Sequence, residues 1–249
     1  YVDFGARMYN PDWGRWFTQD PLAEKYYSWA PYCYCINNPI KYVDPNGLDL
    51  QLAGTKEEQE MLLAMLQRLT NYKLILHQNG TVTHSIVKTE NKNSDYQEGN
   101  TLLEQLCDQS SDTKTTTISI TDQKSITHPA DENAYNGVGS NAEIRFNPNE
   151  NPSLITQNET SKQVQQERRP AYIGLAHELI HGMHINAGVA KRKSVSVTPT
   201  IQGNGQKYTY IKPIPLEDAI TVGLHGFLTN GPTENSIRKE HNLNVRLLY

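Results

Sequence analysis

The stretch that decides the fold of this chain is Ala176-His177-Glu178-Leu179-Ile180-His181-Gly182-Met183-His184. Residues four apart lie on one face of a helix, so a helix here points His177 and His181 the same way. Two imidazoles at this spacing can bind one zinc ion, and Glu178 then lies beside the metal as a base. The motif therefore predicts a helix that carries a zinc-dependent hydrolytic site.

The residues around this motif predict where the helix begins and ends. Pro170 suits a first helical turn, and Asn186-Ala187-Gly188 is typical of a helix end. Large apolar residues flank the polar stripe, namely Ile173, Leu175, Leu179, Ile180 and Met183. Burying three polar side chains among them is unfavourable unless a metal and a water satisfy all three. The alternative is an ordinary amphipathic helix with exposed histidines.

A catalytic zinc also needs a third protein ligand and an open coordination position. The metzincin pattern fails, because it requires glycine at 184 and histidine at 187, where the chain has His184 and Ala187. Downstream, Glu217-Asp218-Ala219-Ile220-Thr221-Val222-Gly223 supplies two acids. We expect His184 to be a hydrogen-bonded neighbour of the site rather than a ligand.

The composition restricts the partners of the chain. Its 249 residues carry a net charge of -4, and no basic block is longer than Lys191-Arg192-Lys193, so we expect no nucleic-acid or anionic-membrane partner. No apolar run of about 18 residues and no signal peptide occur, so we expect no membrane span. The chain begins at Tyr1 rather than methionine, so we expect it to be a segment of a longer protein. Other parts of that longer protein would then direct any export. Cys33, Cys35 and Cys107 are an odd set, for which we expect no disulfide framework.

Local patterns after residue 48 predict a mixture of helices and strands. The predicted elements are a helix over 55–70 capped by Thr55, a hairpin over 72–87 around Asn79-Gly80, a helix over 99–109, and strands over 115–121 and 142–147. Residues 122–140 are predicted to form turns, and a disordered loop is predicted to continue up to 168. Residues 189–215 are predicted to be a flexible excursion with one strand at 207–212. Short helices are predicted to begin at Leu216 and Thr233. By analogy with zinc peptidases, we expect strand 142–147 to line the cleft and pair with an extended substrate.

Residues 1–48 differ from the remainder because they are crowded with Tyr, Trp, Pro and Asn, which predicts short strands and tight turns. This passage, which ends Asp44-Pro45-Asn46-Gly47-Leu48, resembles the end of the Rhs-repeat-associated core, the last segment of a β-shell in polymorphic toxins. The resemblance implies aspartyl autoproteolysis between Leu48 and Asp49, with Asp44 and Asp20 as the acids. Asp20-Pro21 departs from the family because Leu22 follows where glycine is usual. The alternative is that both aspartates only form turns.

The C-terminal part resembles the NleD-like effector metallopeptidases and, more distantly, the clostridial neurotoxin light chains, which share a His-Glu-Leu-Ile-His-x-x-His-like helix. The neurotoxin pattern acid-acid-x-x-Thr-Phe-Gly matches residues 217–223 and implies that Asp218 binds zinc. Glu217 is the runner-up, because aspartate is one methylene shorter than the usual glutamate. The same resemblance implies that Glu234 orients a ligand histidine. It also implies that Arg246 and Tyr249 stabilise the oxyanion, although these three could instead be an ordinary helix-start acid and surface residues.

Together these features predict an α+β, zincin-like metallopeptidase domain over residues 49–249, with a small twisted sheet and the HExxH helix, after a short β/turn remnant of an Rhs shell over 1–48. The expected function is that of a secreted polymorphic-toxin effector whose zinc endopeptidase cleaves a protein in the cytoplasm of a target cell. The resemblance implies a cognate immunity protein and the Rhs shell of the parent chain as partners. The alternatives are a non-catalytic zinc-containing binding module and a nuclease cargo, and the acidic charge disfavours the nuclease.

Overall fold

The computed structural model describes residues 2–3, 8–10, 15–16, 50–88, 96–107, 114–197, 200–203, 206–209, 212–224, 226–227 and 231–249. The chain separates into two compact units, one of residues 1–48 with 108–113 and one of residues 49–107 with 114–249. In the first unit, β1 (Val2–Asp3), β2 (Met8–Asn10) and β3 (Arg15–Trp16) pair antiparallel in that order. The predicted site residues Asp20, Asp44 and Leu48 lie outside the described residues, as do Cys33 and Cys35.

The second unit is built on a six-stranded mixed sheet. Its strands are β4 (Leu50–Leu52), β5 (Tyr72–Leu76), β6 (Thr81–Lys88), β7 (Thr116–Ile120), β8 (Ile126–Pro129) and β9 (Ala142–Phe146), in the order β5-β6-β4-β7-β9-β8. The pairs β4–β7 and β7–β9 are parallel, and the others are antiparallel. The first three α-helices of this unit are α1 (Lys56–Gln67), α2 (Gln97–Cys107) and α3 (Ala171–Asn186).

Local sequence signals explain the first of these elements. Thr55 accepts a hydrogen bond from the Glu58 N–H, and the Glu58 carboxylate accepts one from the Thr55 N–H, which is a capping box. Asn79 and Gly80 turn the chain between β5 and β6, with Gly80 in the left-handed region at φ +86°. The predicted helix over 55–70 and the hairpin over 72–87 are confirmed, and α2 confirms the predicted helix over 99–109 as far as residue 107, where the described residues end.

The largest apolar cluster lies between the sheet and the helices. Its fully buried members include Leu50, Leu52, Leu62, Leu66, Leu102, Leu103, Ile118, Ile144, Leu175, Leu179 and Ile180. The end of α1 and the start of α2 approach closely, because a Cβ at Gly99 would lie only 1.7 Å from the Leu69 carbonyl oxygen. Cys107 is buried at the end of α2.

The edge of the sheet corrects two predictions. Residues 122–140 contain β8 and a short 3₁₀ helix, Glu132–Tyr135, and are not turns throughout. Strand β9 is paired on both sides, by β7 and by β8, so the prediction that residues 142–147 form the free cleft-lining edge is wrong. The edge strand next to α3 is β8. This strand is hard to predict from the sequence because Ile126–Pro129 is short and contains a proline.

A second small sheet replaces the predicted disordered loop before α3. Strands β10 (Ser153–Gln157) and β11 (Val164–Arg168) form an antiparallel hairpin, and β16 (Val245–Arg246) pairs with the other side of β10. The sequence of this region does not indicate strands, because β11 has no fully buried residue. The pairing of β10 with β16 could not be predicted either, because β16 lies at the far end of the sequence. The prediction of disorder up to residue 168 is therefore wrong.

The predicted flexible excursion over 189–215 with one strand instead contains four antiparallel paired strands among its described residues, here termed the hairpin strands. Strand β12 (Ser194–Val197) pairs with β15 (Lys212–Pro215), and β13 (Thr200–Gly203) pairs with β14 (Gln206–Thr209). The two ladders share one register. The pair Val197–Lys212 and the pair Thr200–Thr209 are separated by the same number of residues along each side.

Two short helices follow this hairpin, as predicted. Helix α4 (Leu216–Val222) begins directly after β15, and α5 (Glu234–Glu240) begins after Thr233, whose hydroxyl accepts a hydrogen bond from the Ser236 N–H. Within the part of the chain that the structure describes, no helix combines the length and apolar character needed to span a bilayer.

Candidate metal centre and catalytic site

Helix α3 brings His177, Glu178 and His181 to one end of the core. The Nε2 atoms of the two histidines lie 3.2 Å apart, and the rings meet edge to face at 80°. His177 is 2% exposed and Glu178 is 6% exposed. Polar groups this deeply buried require partners, which α4, α5 and strand β8 supply.

Asp218 on α4 lies against both imidazoles. Its Oδ1 atom is 3.2 Å from His181 Nε2 and 3.7 Å from His177 Nε2. Ligand atoms bound to a tetrahedral zinc ion at about 2.0–2.1 Å lie roughly 3.3 Å from one another. The three atoms therefore have the spacing of three corners of a zinc tetrahedron, and among the described residues this trio is the group that could hold a metal ion.

Glu217, the preceding acid, faces the other side of His181. Its Oε1 atom lies 3.5 Å from His181 Nδ1 and 2.5 Å from His184 Nδ1. Its Oε2 atom accepts a hydrogen bond of 2.7 Å from the Lys191 backbone N–H. Glu217 therefore contacts His181, His184 and the backbone of the segment that follows α3. His184 is a hydrogen-bonded neighbour of the site, as expected.

The charges around His181 shift several pKa values. Burial raises the pKa of Glu217, but hydrogen bonds from His181 and His184 outweigh it and lower that pKa to about 2. Burial also raises the pKa of Asp218, and hydrogen bonds from His177 and His181 hold it well below its usual value. Burial lowers the pKa of His181, yet the carboxylates of Asp218 and Glu217 raise it to about 9. The two carboxylates therefore favour the protonated form of the His181 ring.

Behind His177, a fully buried carboxylate joins the site to the C-terminal segment. Glu234 Oε2 lies 3.0 Å from His177 Nδ1 and accepts a 2.8 Å hydrogen bond from Arg246 Nη1. Burial raises the pKa of Glu234, but the charge of Arg246 outweighs burial and, with His177, keeps that pKa far below its usual value. With Nδ1 tied to Glu234, His177 presents Nε2 to Asp218 and His181.

Arg246 and Tyr249 both reach this region. The Tyr249 ring stacks on His177 at a centroid distance of 6.0 Å, and Arg246 Cζ lies 4.9 Å from the Tyr249 centroid. Burial and the charge of Asp218, to which the phenol hydrogen-bonds, raise the pKa of Tyr249 above its usual value. Arg246 is more constrained, because Nη1 donates to Glu234 and Nε donates to the Leu248 carbonyl at 2.7 Å.

Two residues near the site have roles that the sequence did not indicate. Thr127 Oγ1 on β8 donates a 2.7 Å hydrogen bond to Glu178 Oε2. Arg238 is completely buried, with Nη2 donating to Glu167 at 2.8 Å and Nη1 lying 3.7 Å from Glu234 Oε1. The four-residue spacing of Glu234 and Arg238 was a readable signal for an ion pair on a helix, whereas nothing near Thr127 marks its contact.

Comparison with known proteins gives a family match over the C-terminal part of the chain. The model of the family Peptidase_M91, described as effector protein, matches residues 83–249. The light chain of Clostridium botulinum neurotoxin serotype F is 17% identical, with 82% of this chain and 52% of that chain covered at a TM-score of 0.42. The zinc-removed form of the botulinum neurotoxin type C light chain is 15% identical, with 68% and 34% covered at a TM-score of 0.33. This chain thus spans about a third to a half of these light chains.

A curated relative matches a shorter stretch. Salivary gland surface protein 1 of Aedes aegypti is 47% identical over 45 residues, which is 18% of this chain and 1% of that protein.

Proposed function

The chain belongs to the Peptidase_M91 family of effector proteins, and from that membership we propose that it is a zinc-dependent endopeptidase that cleaves a protein inside a target cell. The observation that carries the proposal is the triangle formed by His177 Nε2, His181 Nε2 and Asp218 Oδ1, with sides of 3.2, 3.2 and 3.7 Å. Its size and its two-imidazole, one-carboxylate donor set fit a catalytic zinc ion.

We propose His177, His181 and Asp218 as the residues that hold the metal. Zinc bound there would supply Lewis acidity, which lowers the pKa of a water and polarises a carbonyl group. Glu217 then has a different task, because its carboxylate contacts the Nδ1 side of His181 and can fix the orientation of that ring. Glu234 does the same for His177.

The remaining polar groups would transfer the proton and stabilise the negative charge that develops during peptide hydrolysis. Glu178 accepts the proton of the attacking water and gives it to the leaving nitrogen as the carbon–nitrogen bond breaks. The Tyr249 hydroxyl, beside Asp218, donates to the oxyanion that develops on the scissile carbonyl. Arg246 adds positive charge and supports the Tyr249 ring.

We propose that an extended substrate pairs with the edge of β8. An edge strand offers backbone hydrogen-bonding groups to a second chain. Support comes from Thr127, which lies on β8 and contacts Glu178, so a peptide along this edge would pass the proposed base. Strand β9 has both neighbours already in place and cannot accept one.

We propose further that residues 1–48 are the end of an Rhs core and that residues 49–249 are its toxin domain, secreted with a cognate immunity protein as partner. This proposal rests on the sequence of residues 1–48 alone. It predicts self-cleavage between Leu48 and Asp49 that depends on Asp44 and, to a lesser extent, on Asp20. Intact-mass measurement of the purified chain and of Asp44→Asn during incubation tests it, and an unchanged single mass for the wild type would contradict self-cleavage.

A proteome-derived peptide library, incubated with zinc-loaded wild type or Glu178→Gln and searched by mass spectrometry for new peptide ends, tests the enzymatic proposal. We expect new ends with the wild type alone and equal bound zinc in both proteins. Equal zinc with no new ends in either sample would favour a non-catalytic binding module. Degradation of DNA or RNA that persists in Glu178→Gln would favour a nuclease.

A further inference from the structure

A single hydroxyl group connects the edge of the main sheet to the proposed catalytic base. Thr127 lies opposite Ile144 in the β8–β9 ladder, and its Oγ1 atom reaches across to α3. That atom lies 2.7 Å from Glu178 Oε2 and 3.2 Å from the backbone carbonyl oxygen of Glu178. One hydroxyl proton serves two acceptors, and the charged oxygen is both nearer and the stronger acceptor.

The two oxygens of Glu178 therefore have different surroundings. Throughout the described ranges, Thr127 is the one side chain that donates a hydrogen bond to this carboxylate, and Oε1 receives none. The residue is only 6% exposed, so a carboxylate without a donor is strongly disfavoured there. Thr127 thus holds Oε2 in place, and Oε1 is the oxygen available to take a proton.

We propose that Thr127 is the positioning residue of Glu178, an assignment that rests on the proposed function. A base must lie within hydrogen-bond reach of the proton that it removes, and a glutamate side chain has several rotatable bonds to restrain. After a proton has moved to Oε1, the Thr127 hydroxyl still donates to Oε2, which is then the carbonyl oxygen of the neutral carboxyl group. The same side chain therefore supports Glu178 before and after proton transfer.

Two substitutions separate the hydroxyl from the rest of the side chain. Thr127→Val removes the hydroxyl and keeps the branched shape, whereas Thr127→Ser keeps the hydroxyl. With the fastest-cleaved library peptide, we expect Thr127→Val to lower kcat roughly 10- to 100-fold, with KM and bound zinc unchanged. Thr127→Ser should retain kcat within about threefold of the wild type, because it still donates to Oε2.

A second measurement needs no metal and no substrate. In chelator, urea unfolding of Thr127→Val, Glu178→Ala and the double variant gives the coupling between the two side chains. We expect the effects on the unfolding equilibrium constant to differ from additivity by roughly fivefold or more, as for a hydrogen bond to a charged group. Thr117 on β7, half-buried in the same sheet, is the matched control, and Thr117→Val should combine additively with Glu178→Ala.

The outcomes distinguish the two proposals. Cleavage that depends on Glu178 but is equal in wild type and Thr127→Val would overturn the positioning role and leave the proposed function intact. Additive unfolding effects of Thr127→Val and Glu178→Ala would also overturn it. Identical products from wild type and Glu178→Gln would overturn the proposed function, and the positioning role with it.

Discussion

Glu217 and Asp218 are adjacent in sequence but contact opposite nitrogens of the His181 ring, with Glu217 Oε1 3.5 Å from Nδ1 and Asp218 Oδ1 3.2 Å from Nε2. We expect Asp218→Ala to weaken zinc binding by more than roughly 100-fold and Glu217→Ala by about 10-fold, because only Asp218 would lose a direct ligand. Zinc affinity measured against a competing chelator checks this, with the exposed Glu143→Ala as control. A larger loss in Glu217→Ala would make Glu217 the ligand.

The metal-free protein should be most stable in a mildly acidic window. The pKa of Glu217 falls from 4.5 to about 2, and that of His181 rises from 6.5 to about 9. The lowered acid stabilises the fold above pH 4.5 and loses its effect as pH falls through about 2, whereas the raised histidine stabilises below pH 6.5 and loses its effect as pH rises through about 9.

The free energy of unfolding in chelator should therefore be highest between about pH 4.5 and 6.5 and fall by on the order of 2 kcal/mol on either side. Urea unfolding across this range measures it. Glu217→Gln should flatten the acid side and weaken the alkaline side, and a profile unchanged by that substitution would contradict the assignment.

Glu234→Gln should destabilise the fold strongly. The carboxylate of Glu234 is fully buried and faces Arg246 at 2.8 Å and Arg238 at 3.7 Å, so a neutral side chain leaves two buried cations with one partner fewer. We expect a loss of roughly 3–5 kcal/mol in the free energy of unfolding, measured in chelator. Glu159→Gln breaks the half-exposed pair with Lys239 and should change it by less than about 1 kcal/mol. Equal effects of the two substitutions would show that the buried cluster adds no stability.

Tyr249→Phe should separate catalysis from metal binding. The substitution removes only the hydroxyl that lies beside Asp218, and the ring can still stack on His177. We expect kcat to fall by roughly 100-fold, which is the loss found when one oxyanion donor is removed, with bound zinc unchanged. Tyr135→Phe, next to Arg192 at the far end of α3, is the control and should keep full activity. Full activity of Tyr249→Phe would place the phenol outside the reaction.

Gly99→Ala tests the close approach of α1 and α2. The added methyl group would lie 1.7 Å from the Leu69 carbonyl oxygen, so one of the two helices must shift. We expect a loss of roughly 2–3 kcal/mol in the free energy of unfolding. Gly137→Ala meets no atom within 4 Å and carries only the strain of φ +86°, for which about 1 kcal/mol is expected. A smaller loss for Gly99→Ala than for Gly137→Ala would mean that the contact relaxes easily.

The sequence predicted those features whose partners are close along the chain. Thr55 and Glu58 are three residues apart, and His177 and His181 are four apart, so the capping box and the facing imidazoles follow from helical geometry alone. The hairpin at Asn79-Gly80 follows from its turn residues in the same way.

Asp218 and Glu234, which the family resemblance indicated, lie against the α3 histidines, whereas other contacts between distant residues were not predicted. The contact of Thr127 with Glu178 and the pairing of β16 with β10 join remote parts of the sequence, and no periodic pattern records them. Strand β11 is not recognisable from the sequence because its side chains are largely solvated, which removes the alternation that marks a half-buried strand.

The shared register of the hairpin strands bears on how the two ligand-carrying helices meet. Ser194 is paired with Pro215, so the chain that leaves α3 and the chain that enters α4 are held side by side at the hairpin base. The loop-closure entropy of bringing His181 to Asp218 is therefore set by the short segments below that pair and not by the whole intervening sequence. Adding or removing whole cross-strand pairs at the far end of these strands should therefore leave the spacing of His181 and Asp218 unchanged.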